Sequence, residues 1–465
     1  MWQPIFCKII PKKVRNIKHW FYAYFGACKY RNPSEQMFVI GVTGTSGKST
    51  TVFFLRQLLE QAGYAVGSLS TIDFYIAGQD KLNDQKMTML GKAQTQKYLR
   101  EMADAGCDIA IIEITSEGFV QHRHKYINFD VIVLTNLYPE HIESHGSFNK
   151  YKKAKLGIFK YISKCKEKYR LEKYQKVVIC DLVDNPKAVC QKAPKIAVIN
   201  ANSQYAPDFL QFKFSNKFLF GRHDQKNYFE KNDLDKYTSA VIGKSIEVDN
   251  GDLRFIVDKH QYCAPIYGEH NIMNILAGIA VARGLKIKEE IIMQAVAGLV
   301  SPPGRMEFIK EADKCGFQVI VDYAFEVVAL EKLYAAVELI KPKRIIHLFG
   351  NTGGGRDKPD KKAELVGEKA DIVIITNEDP YDDDPRKLIK QVSVGVEKAG
   401  KKPGKDLFEI LDRKEAIAKA IELAQTGDLV LITGKGSEQK LCVSGGRMID
   451  WDDREAAREA LQRLK

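Results

Sequence analysis

Starting at Val14, the apolar positions Val14, Ile17, Phe21, Tyr24 and Cys28 recur at spacings of three and four, which predicts an amphipathic helix ending near Arg31-Asn32-Pro33. The other face of that helix is basic and aromatic. Short apolar runs then alternate with helical patterns, the signature of a parallel sheet with crossover helices. Phe38 to Val42, Asp108 to Ile112, Val131 to Leu134, Val177 to Ile179 and Ile196 to Ile199 are the strand candidates. Residues 205–265 read differently: their short alternating segments predict a small antiparallel insertion or lobe, followed by a helix from Asn271 to Gly284. Ser301-Pro302-Pro303-Gly304 cannot continue a helix and suits a link between domains. A second α/β series follows, with strands at Phe317 to Val321, Arg344 to Phe349, Asp371 to Ile375 and Asp428 to Ile432 and helices around 329–340, 360–369, 385–399 and 414–425. The pattern divides the chain into an N-terminal segment (1–36), a larger α/β domain (37–301) and a smaller one (302–465).

Composition narrows this picture. With 465 residues, 45% hydrophobic and 28% charged, the chain has the length for several cores and is neither disordered nor fibrous. No run reaches the roughly 18–20 apolar residues of a spanning helix, and the run from His19 to Ala27 lies too far from the start for a cleavable signal. The nine cysteines, an odd number without a CxxC pair, point to reduced thiols and a cytoplasmic protein. The net charge is +12, and Lys8, Lys12, Lys13, Arg15, Lys18, Lys29 and Arg31 supply seven of those charges before any acid occurs. The remainder is close to neutral for its size, which argues against a nucleic-acid partner. Trp20, Phe21, Tyr22, Tyr24 and Phe25 on the basic segment suit the anionic inner face of a membrane, making peripheral contact through residues 8–31 one expectation. A helix packed on the protein body and a residual nucleotide contact are the alternatives.

Gly41-Val42-Thr43-Gly44-Thr45-Ser46-Gly47-Lys48-Ser49-Thr50 follows a strand and opens a helix. That context makes a phosphate cradle: backbone N–H groups and the helix N-terminus face the anion, Lys48 neutralises the outer phosphates, and a hydroxyl reaches magnesium. Val42 replaces the usual first glycine, so the motif is a variant. Magnesium bridging ATP phosphates needs a hard oxygen ligand nearby, and Glu113, at the end of the Asp108 to Ile112 run, fits. Thr115, Ser116, Gln121, His122 and Arg123 follow, where open α/β sheets bind ligands.

These residues, with Thr135-Asn136-Leu137, His141, His145, Gly146, YKKAK at 151–155, GEHNIMN at 268–274, PGRME at 303–307, Asp322-Tyr323-Ala324, GGGRDK at 353–358 and GKGSE at 434–438, give a sequence that resembles the Mur ligase family over residues 37–465. The members most similar to it add the third amino acid of a peptidoglycan precursor. The resemblance implies an α/β fold, with a P-loop parallel-sheet central ATPase domain followed by a Rossmann-like C-terminal α/β domain. It also implies an ATP- and Mg2+-dependent amide ligase: the carboxylate of a muramoyl-peptide precursor attacks the γ-phosphate, and the amine of a free amino acid displaces phosphate from the acyl phosphate. By that likeness Lys48, Glu113, His141 and Lys155 form the catalytic set, with Ser49, Glu113, His141 and Lys155 on the metal side; Lys155 sits where family members carry a carbamylated lysine. Gly44, Thr45, Ser46, Gly47, Lys48, Ser49 and Thr50 would hold phosphates, Asn271 and Asn274 the adenine, and Arg305 and Asp322 phosphate and ribose. Thr88, Ser116, Gln121 and Arg123 would meet the muramoyl peptide. Arg356, Asp379, Tyr381, Gly434 and Glu438 fall at positions for the incoming amino acid. Two α/β domains joined at Pro302-Pro303 suggest hinge closure that keeps water from the acyl phosphate.

The sequence departs from the family at instructive places. Family members specific for meso-diaminopimelate carry Asp-Asn-Pro-Arg, and here the run is Glu378-Asp379-Pro380-Tyr381, followed by Asp382, Asp383 and Asp384. Tyrosine cannot clamp a distal carboxylate as arginine does, and an acidic rim favours a side chain ending in an ammonium, so a diamino acid such as lysine is expected. The short stretch ahead of the P-loop, where relatives keep a uridine-binding domain, opens a second possibility, a lipid-linked or other non-UDP carboxylate acceptor. A non-catalytic nucleotide-dependent membrane or scaffold protein is the contrasting class, and it requires a broken phosphate site.

Overall fold

Strand β1 (Phe38–Thr43) is buried along its whole length, as a strand covered on both faces must be. The computed structural model describes residues 12–85, 87–91, 93–139, 146–173, 176–179, 191–228, 238–249, 251–354 and 359–464. The chain forms two compact units: the first holds most of residues 1–300, and the second holds residues 301–465 with short pieces at 82–86 and 267–269.

In the first unit, β1 is joined by β2 (Val66–Leu69), β3 (Asp73–Ile76), β4 (Gln79–Leu82), β5 (Ile109–Glu113), β6 (Val131–Leu134), β7 (Ile196–Asn200), β8 (Asn216–Arg222), β9 (Thr238–Asp249), β10 (Asp252–Val257) and β11 (His260–Ala264). They lie in the order β11-β10-β9-β8-β7-β6-β1-β5-β2-β3-β4. Neighbours from β2 through β9 run parallel, whereas β3, β10 and β11 are antiparallel to the strands they join. The chain leaves β5 and crosses over β1 to reach β6, which puts a topological switch point at the carboxyl end of β1. Residues 205–265 are therefore no separate antiparallel lobe: β8 and β9 extend the parallel sheet and only β10 and β11 turn back. Val177 to Ile179 likewise belongs to a small three-stranded sheet of its own, with Tyr169–Lys173, Lys176–Ile179 and Gln191–Lys192.

The helices of this unit include α1 (Lys12–Lys29), α2 (Lys48–Gln61), α3 (Gln94–Asp104), α4 (Ser116–Val120), α5 (Phe148–Ile162), α6 (Ile272–Gly284) and α7 (Glu289–Ala297), with one more short helix at Ala206–Leu210. Alternation along β1 sends Phe38, Ile40 and Val42 into a core shared with Leu55 and Leu58 of α2 and Ile275 and Leu276 of α6. Val39 points to the other face, where Tyr151, Ile158 and Phe159 of α5 cover the sheet. Helix α6 is apolar all round and almost wholly buried, as such a helix must be.

Helix α1 is oriented by its small residues. Ala23, Gly26 and Ala27 are buried, and a Cβ on Gly26 would lie 3.0 Å from Ala93, so the backbones approach too closely for larger side chains. The described members of the periodic apolar stripe, Phe21, Tyr24 and Cys28, are instead exposed, together with Trp20, Tyr22 and Phe25. Beyond α1, the Ser34 hydroxyl accepts the Asn128 N–H at 3.0 Å and Glu35 accepts the Asn128 amide at 2.8 Å. Asn128 borders a buried charge cluster in which Asp130 accepts Lys168 at 2.6 Å, Lys195 at 2.9 Å and the Val39 N–H at 2.9 Å. Lys168 also donates to the Met37 and Asn128 carbonyls at 2.7 and 2.8 Å, so the amino-terminal edge of the sheet is closed by satisfied charges.

The second unit has β12 (Glu307–Phe308), β13 (Gln318–Asp322), β14 (Ile345–Asn351), β15 (Ile372–Asn377), β16 (Leu407–Ile410) and β17 (Leu429–Thr433) in the order β12-β13-β17-β14-β15-β16, parallel except for β12. Helices α8 (Val327–Glu338), α9 (Pro359–Lys369), α10 (Pro385–Lys398), α11 (Arg413–Leu423) and α12 (Asp453–Arg463) accompany them, with a hairpin of β18 (Lys440–Val443) and β19 (Arg447–Asp450). Apolar clusters lie on both faces of this sheet, the arrangement of a doubly wound α/β fold.

Candidate functional site

The loop from β1 to α2 is shaped by contacts that residue spacing alone does not reveal. Gly47 caps α2 with φ 75°, a conformation suited to glycine, and a Cβ there would lie 2.6 Å from Asn274 Oδ1. Asn136 Oδ1 accepts the N–H groups of Thr45 and Ser46 at 3.0 and 2.9 Å, and its amide donates to the Ser46 carbonyl at 3.1 Å. The Thr135 hydroxyl donates to the same carbonyl at 2.7 Å, and the Tyr151 hydroxyl donates to Thr45 Oγ1 at 3.0 Å. Together these bonds hold Gly44 to Thr50 in a loop that opens onto a helix N-terminus, a ready anion site.

Glu113 is buried where β5 ends. One of its oxygens accepts the Ser49 hydroxyl at 2.9 Å, the Thr71 N–H at 2.9 Å and the Thr71 hydroxyl at 3.0 Å, and the Lys48 ammonium stands 4.0 Å from the other. Lys48 also donates to the Thr45 carbonyl at 2.9 Å. Ser49 and Glu113 form a hard-oxygen donor pair that fits magnesium, whose remaining ligands in such sites are phosphate oxygens and water. Among the described residues no group of three or more His, Cys, Asp or Glu is placed to hold a metal ion. Lys155 is buried, with its ammonium 2.7 Å from the Gly44 carbonyl and over the ring of Tyr151. His141 lies outside the described residues.

Two further groups of expected residues border this loop or follow it. The Thr51 hydroxyl donates to Asn274 Oδ1 at 3.1 Å, and Asn274 donates to Asn271 Oδ1 at 3.2 Å; Asn271 belongs to the turn before α6 rather than to the helix. Thr88 is bonded to Thr71 at 2.9 Å, which connects it with Glu113. Ser116 begins α4, and just beyond it Gln121 accepts Arg123 at 2.5 Å while Arg123 also reaches the Met89 carbonyl. Burial pushes the Arg123 guanidinium below its ordinary pKa, a shift that Glu117 opposes.

In the second unit the carboxyl ends of β13, β15 and β17 carry the remaining expected residues. Asp379 and Glu438 share one buried ammonium: Lys435 Nζ lies 3.1 Å from both Asp379 oxygens and 2.7 Å from Glu438. Asp379 also accepts the Cys442 N–H at 2.7 Å, and Glu438 accepts the Tyr323 hydroxyl at 3.1 Å. Gly434 sits against Glu378, whose Oε2 would be 2.3 Å from a Cβ, and Glu378 accepts Thr352 at 3.0 Å. Tyr381 has φ 51° and donates its N–H to the Cys442 carbonyl at 3.3 Å. The Arg305 guanidinium covers the Tyr323 ring at 4.0 Å. Asp322 accepts the Met306 and Ala324 N–H groups, each at 2.6 Å; burial raises its pKa, opposed by Arg305 and these bonds. Arg356 lies outside the described residues.

The sequence reading missed Thr71, Asn136, Tyr151, Tyr323 and Lys435 as working parts. Asn136, Tyr151, Tyr323 and Lys435 stand inside motifs it quoted, but Thr71, in the turn between β2 and β3, carries no local signal.

Two family profiles match the chain: Mur ligase middle domain over residues 42–175, and Mur ligase, glutamate ligase domain over residues 304–436. UDP-N-acetylmuramyl-tripeptide synthetase of Roseiflexus sp. is 31% identical over 451 residues, which are 95% of this chain and 82% of that protein. UDP-N-acetylmuramoyl-L-alanyl-D-glutamate--2,6-diaminopimelate ligase of Clostridium botulinum is 29% identical over 439 residues, 94% of this chain and 80% of that protein. Among solved structures, folylpolyglutamate synthase of Mycobacterium tuberculosis, complexed with ADP and AMPPCP, shares the fold with a TM-score of 0.63 at 15% identity, covering 95% of each chain.

Proposed function

The chain belongs to the Mur ligase family, and from that premise we propose the work of its individual residues in an ATP-dependent, ADP-forming amide ligase that adds an amino acid to a muramoyl-peptide precursor of peptidoglycan. The observation that carries the reading is the P-loop corner, where Lys48, Ser49 and a Glu113 held by Thr71 converge. A carboxylate oxygen of the acceptor bonds to the γ-phosphorus as the bond to ADP breaks; the incoming amine then bonds to the acyl carbon and phosphate leaves. Lys48 and the loop N–H groups stabilise the charge on the phosphates. Magnesium, when bound at Ser49 and Glu113, supplies Lewis-acid polarisation of phosphoryl oxygens. Lys155 reaches the same loop, and a carbamate on it would place an anionic oxygen there; intact mass of the active enzyme tests for the added carbon dioxide, and an unmodified lysine excludes it.

For the added amino acid, our reading is a diamino acid without a second carboxylate. Its support is Tyr381 in the position of the family arginine, the carboxylates of Asp379 and Glu438 on one lysine, and a third carboxylate, Glu378, against Gly434. Product formation from ATP, UDP-MurNAc-L-Ala-D-Glu and a panel of L-lysine, L-ornithine and diaminopimelate tests both substrates. Exclusive use of diaminopimelate refutes the choice of amino acid. No product with any of them, beside turnover of a lipid-linked acceptor, refutes the UDP-linked acceptor.

A cytoplasmic location with peripheral membrane contact is the finer proposal. No helix among the described residues is long and apolar enough to cross a membrane. What favours contact is the row of exposed aromatics on a segment rich in lysine and arginine, with Tyr126 packed beside Trp20 and Tyr24. Co-sedimentation with vesicles containing phosphatidylglycerol should fall when Phe21 and Phe25 are both replaced by serine; equal binding by both forms counts against it.

A further inference from the structure

Arg413 opens helix α11 yet points inward and is buried with its partner Asp453, which opens α12. The pair is a two-pronged fork: Nε donates to one Asp453 oxygen and a terminal nitrogen to the other, each at 2.7 Å. Trp451 Nε1 donates to Asp453 as well, at 2.7 Å. A buried ion pair is a weak device for stability, because desolvation offsets most of the attraction. What distinguishes this one is where its other N–H groups go. They reach the Thr433 carbonyl at 2.8 Å and the Asn377 carbonyl at 3.3 Å. Those carbonyls end β17 and β15, strands that do not pair with each other because β14 lies between them. Gly434 to Glu438 follows directly from the first, and Glu378 to Tyr381 from the second.

We propose that Arg413, held by Asp453, is a positioning residue that sets the distance between the two acidic loops receiving the incoming amino acid. The proposal rests on the reading that Asp379 and Glu438 belong to that amino-acid site. Two supports are independent of the fork. The Arg413 charge acts on Glu378 and Asp379. Thr433 is also fixed from β14, since its hydroxyl is bonded to His347 Nε2 at 2.9 Å and His347 Nδ1 to the Tyr334 hydroxyl at 2.6 Å. Lysine at 413 would keep the charge but lose the planar fork, and with it simultaneous contact to Asp453 and both carbonyls.

The test is steady-state kinetics of the full chain with ATP, UDP-MurNAc-L-Ala-D-Glu and whichever of L-lysine, L-ornithine and diaminopimelate it uses best. Arg413→Lys should raise KM for the amino acid about tenfold while KM for ATP stays within about twofold. Arg344→Gln, which removes an ion pair with Asp428 near the opposite ends of β14 and β17, should leave both KM values unchanged. If Arg413→Lys does not fold, Asp453→Asn carries the same expectation. An unchanged KM for the amino acid in a folded variant, or KM for ATP rising in step, overturns the proposal. Glu438→Gln separates the two claims: if it raises that KM and Arg413→Lys does not, only the positioning role falls. If Glu438→Gln has no effect, or none of the three amino acids is used, the site reading falls and the proposal with it.

Discussion

At the carboxyl edge of the first sheet the carboxylate of Glu113 is satisfied by hydroxyls and one N–H, and Lys48 stands beside it at the start of α2. At the same edge of the second sheet, Lys435 is consumed by Asp379 and Glu438, and Glu378 adds a third carboxylate beside Gly434. Both sheets present loops at the carboxyl ends of parallel strands, and they differ in the charges those loops gather: one carboxylate beside one lysine at the first, three carboxylates and one lysine at the second. On the proposed reading the first receives phosphate and the second an amine. The architecture supplies the position, and a handful of loop residues decide the sign.

Replacing Lys48 by alanine tests the anion half most severely: kcat should fall about 10³-fold in an ADP-release assay. A loss under tenfold would break the comparison. Asp379→Asn should raise KM for the amino acid about tenfold with little change for ATP, since it takes one charge from the second edge alone. Tyr381→Arg should shift the kcat/KM ratio towards diaminopimelate over lysine by about tenfold, roughly 1.4 kcal/mol, by supplying a carboxylate clamp. An unchanged ratio would remove Tyr381 from specificity.

A smaller effect should appear in both units together. His124 and His347 are buried, and desolvation, aided by Lys125 and His122 for the first and by Lys362 for the second, lowers each pKa from 6.5 to about 3. The folded chain keeps both imidazoles neutral while the unfolded chain binds protons below pH 6.5. Their contribution is therefore complete above pH 6.5 and is lost as pH falls towards 3, at about 1.4 kcal/mol per pH unit for each histidine. Urea melts at pH 6.5 and 5.5 should show it, and His347→Gln should flatten the slope for the second unit.

The parts of the molecule that were legible in sequence are those whose signal is contiguous. The P-loop, Glu113 at a strand end and four of the six sheet strands of the second unit, β13, β14, β15 and β17, fall within a residue or two of their expected places, whereas the short edge strands β12 and β16 carry no contiguous apolar run and were not expected. Strands β8 and β9 were misread because these outer strands of the parallel sheet are covered unevenly, with half-buried and exposed positions interrupting the buried ones, so neither reads as a continuous apolar run. The inward face of α1 was hidden because Ala23, Gly26 and Ala27 add little to hydrophobic periodicity, while the aromatics that dominate it remain outside. Lys435 stood between two quoted family positions, but nothing local shows that its ammonium is buried between Asp379 and Glu438, residues that only folding unites.

The tether behind helix α1 gives that helix mechanical standing. Ser34 and Glu35 are fastened to Asn128, and the same knot of Asp130, Lys168 and Lys195 grips the start of β1 through the Met37 carbonyl and the Val39 N–H. β1 is a stiff rod of six residues with the phosphate loop at its far end. A pull on the aromatic helix, from whatever surface it rests on, has a short load path into the strand that carries the nucleotide loop.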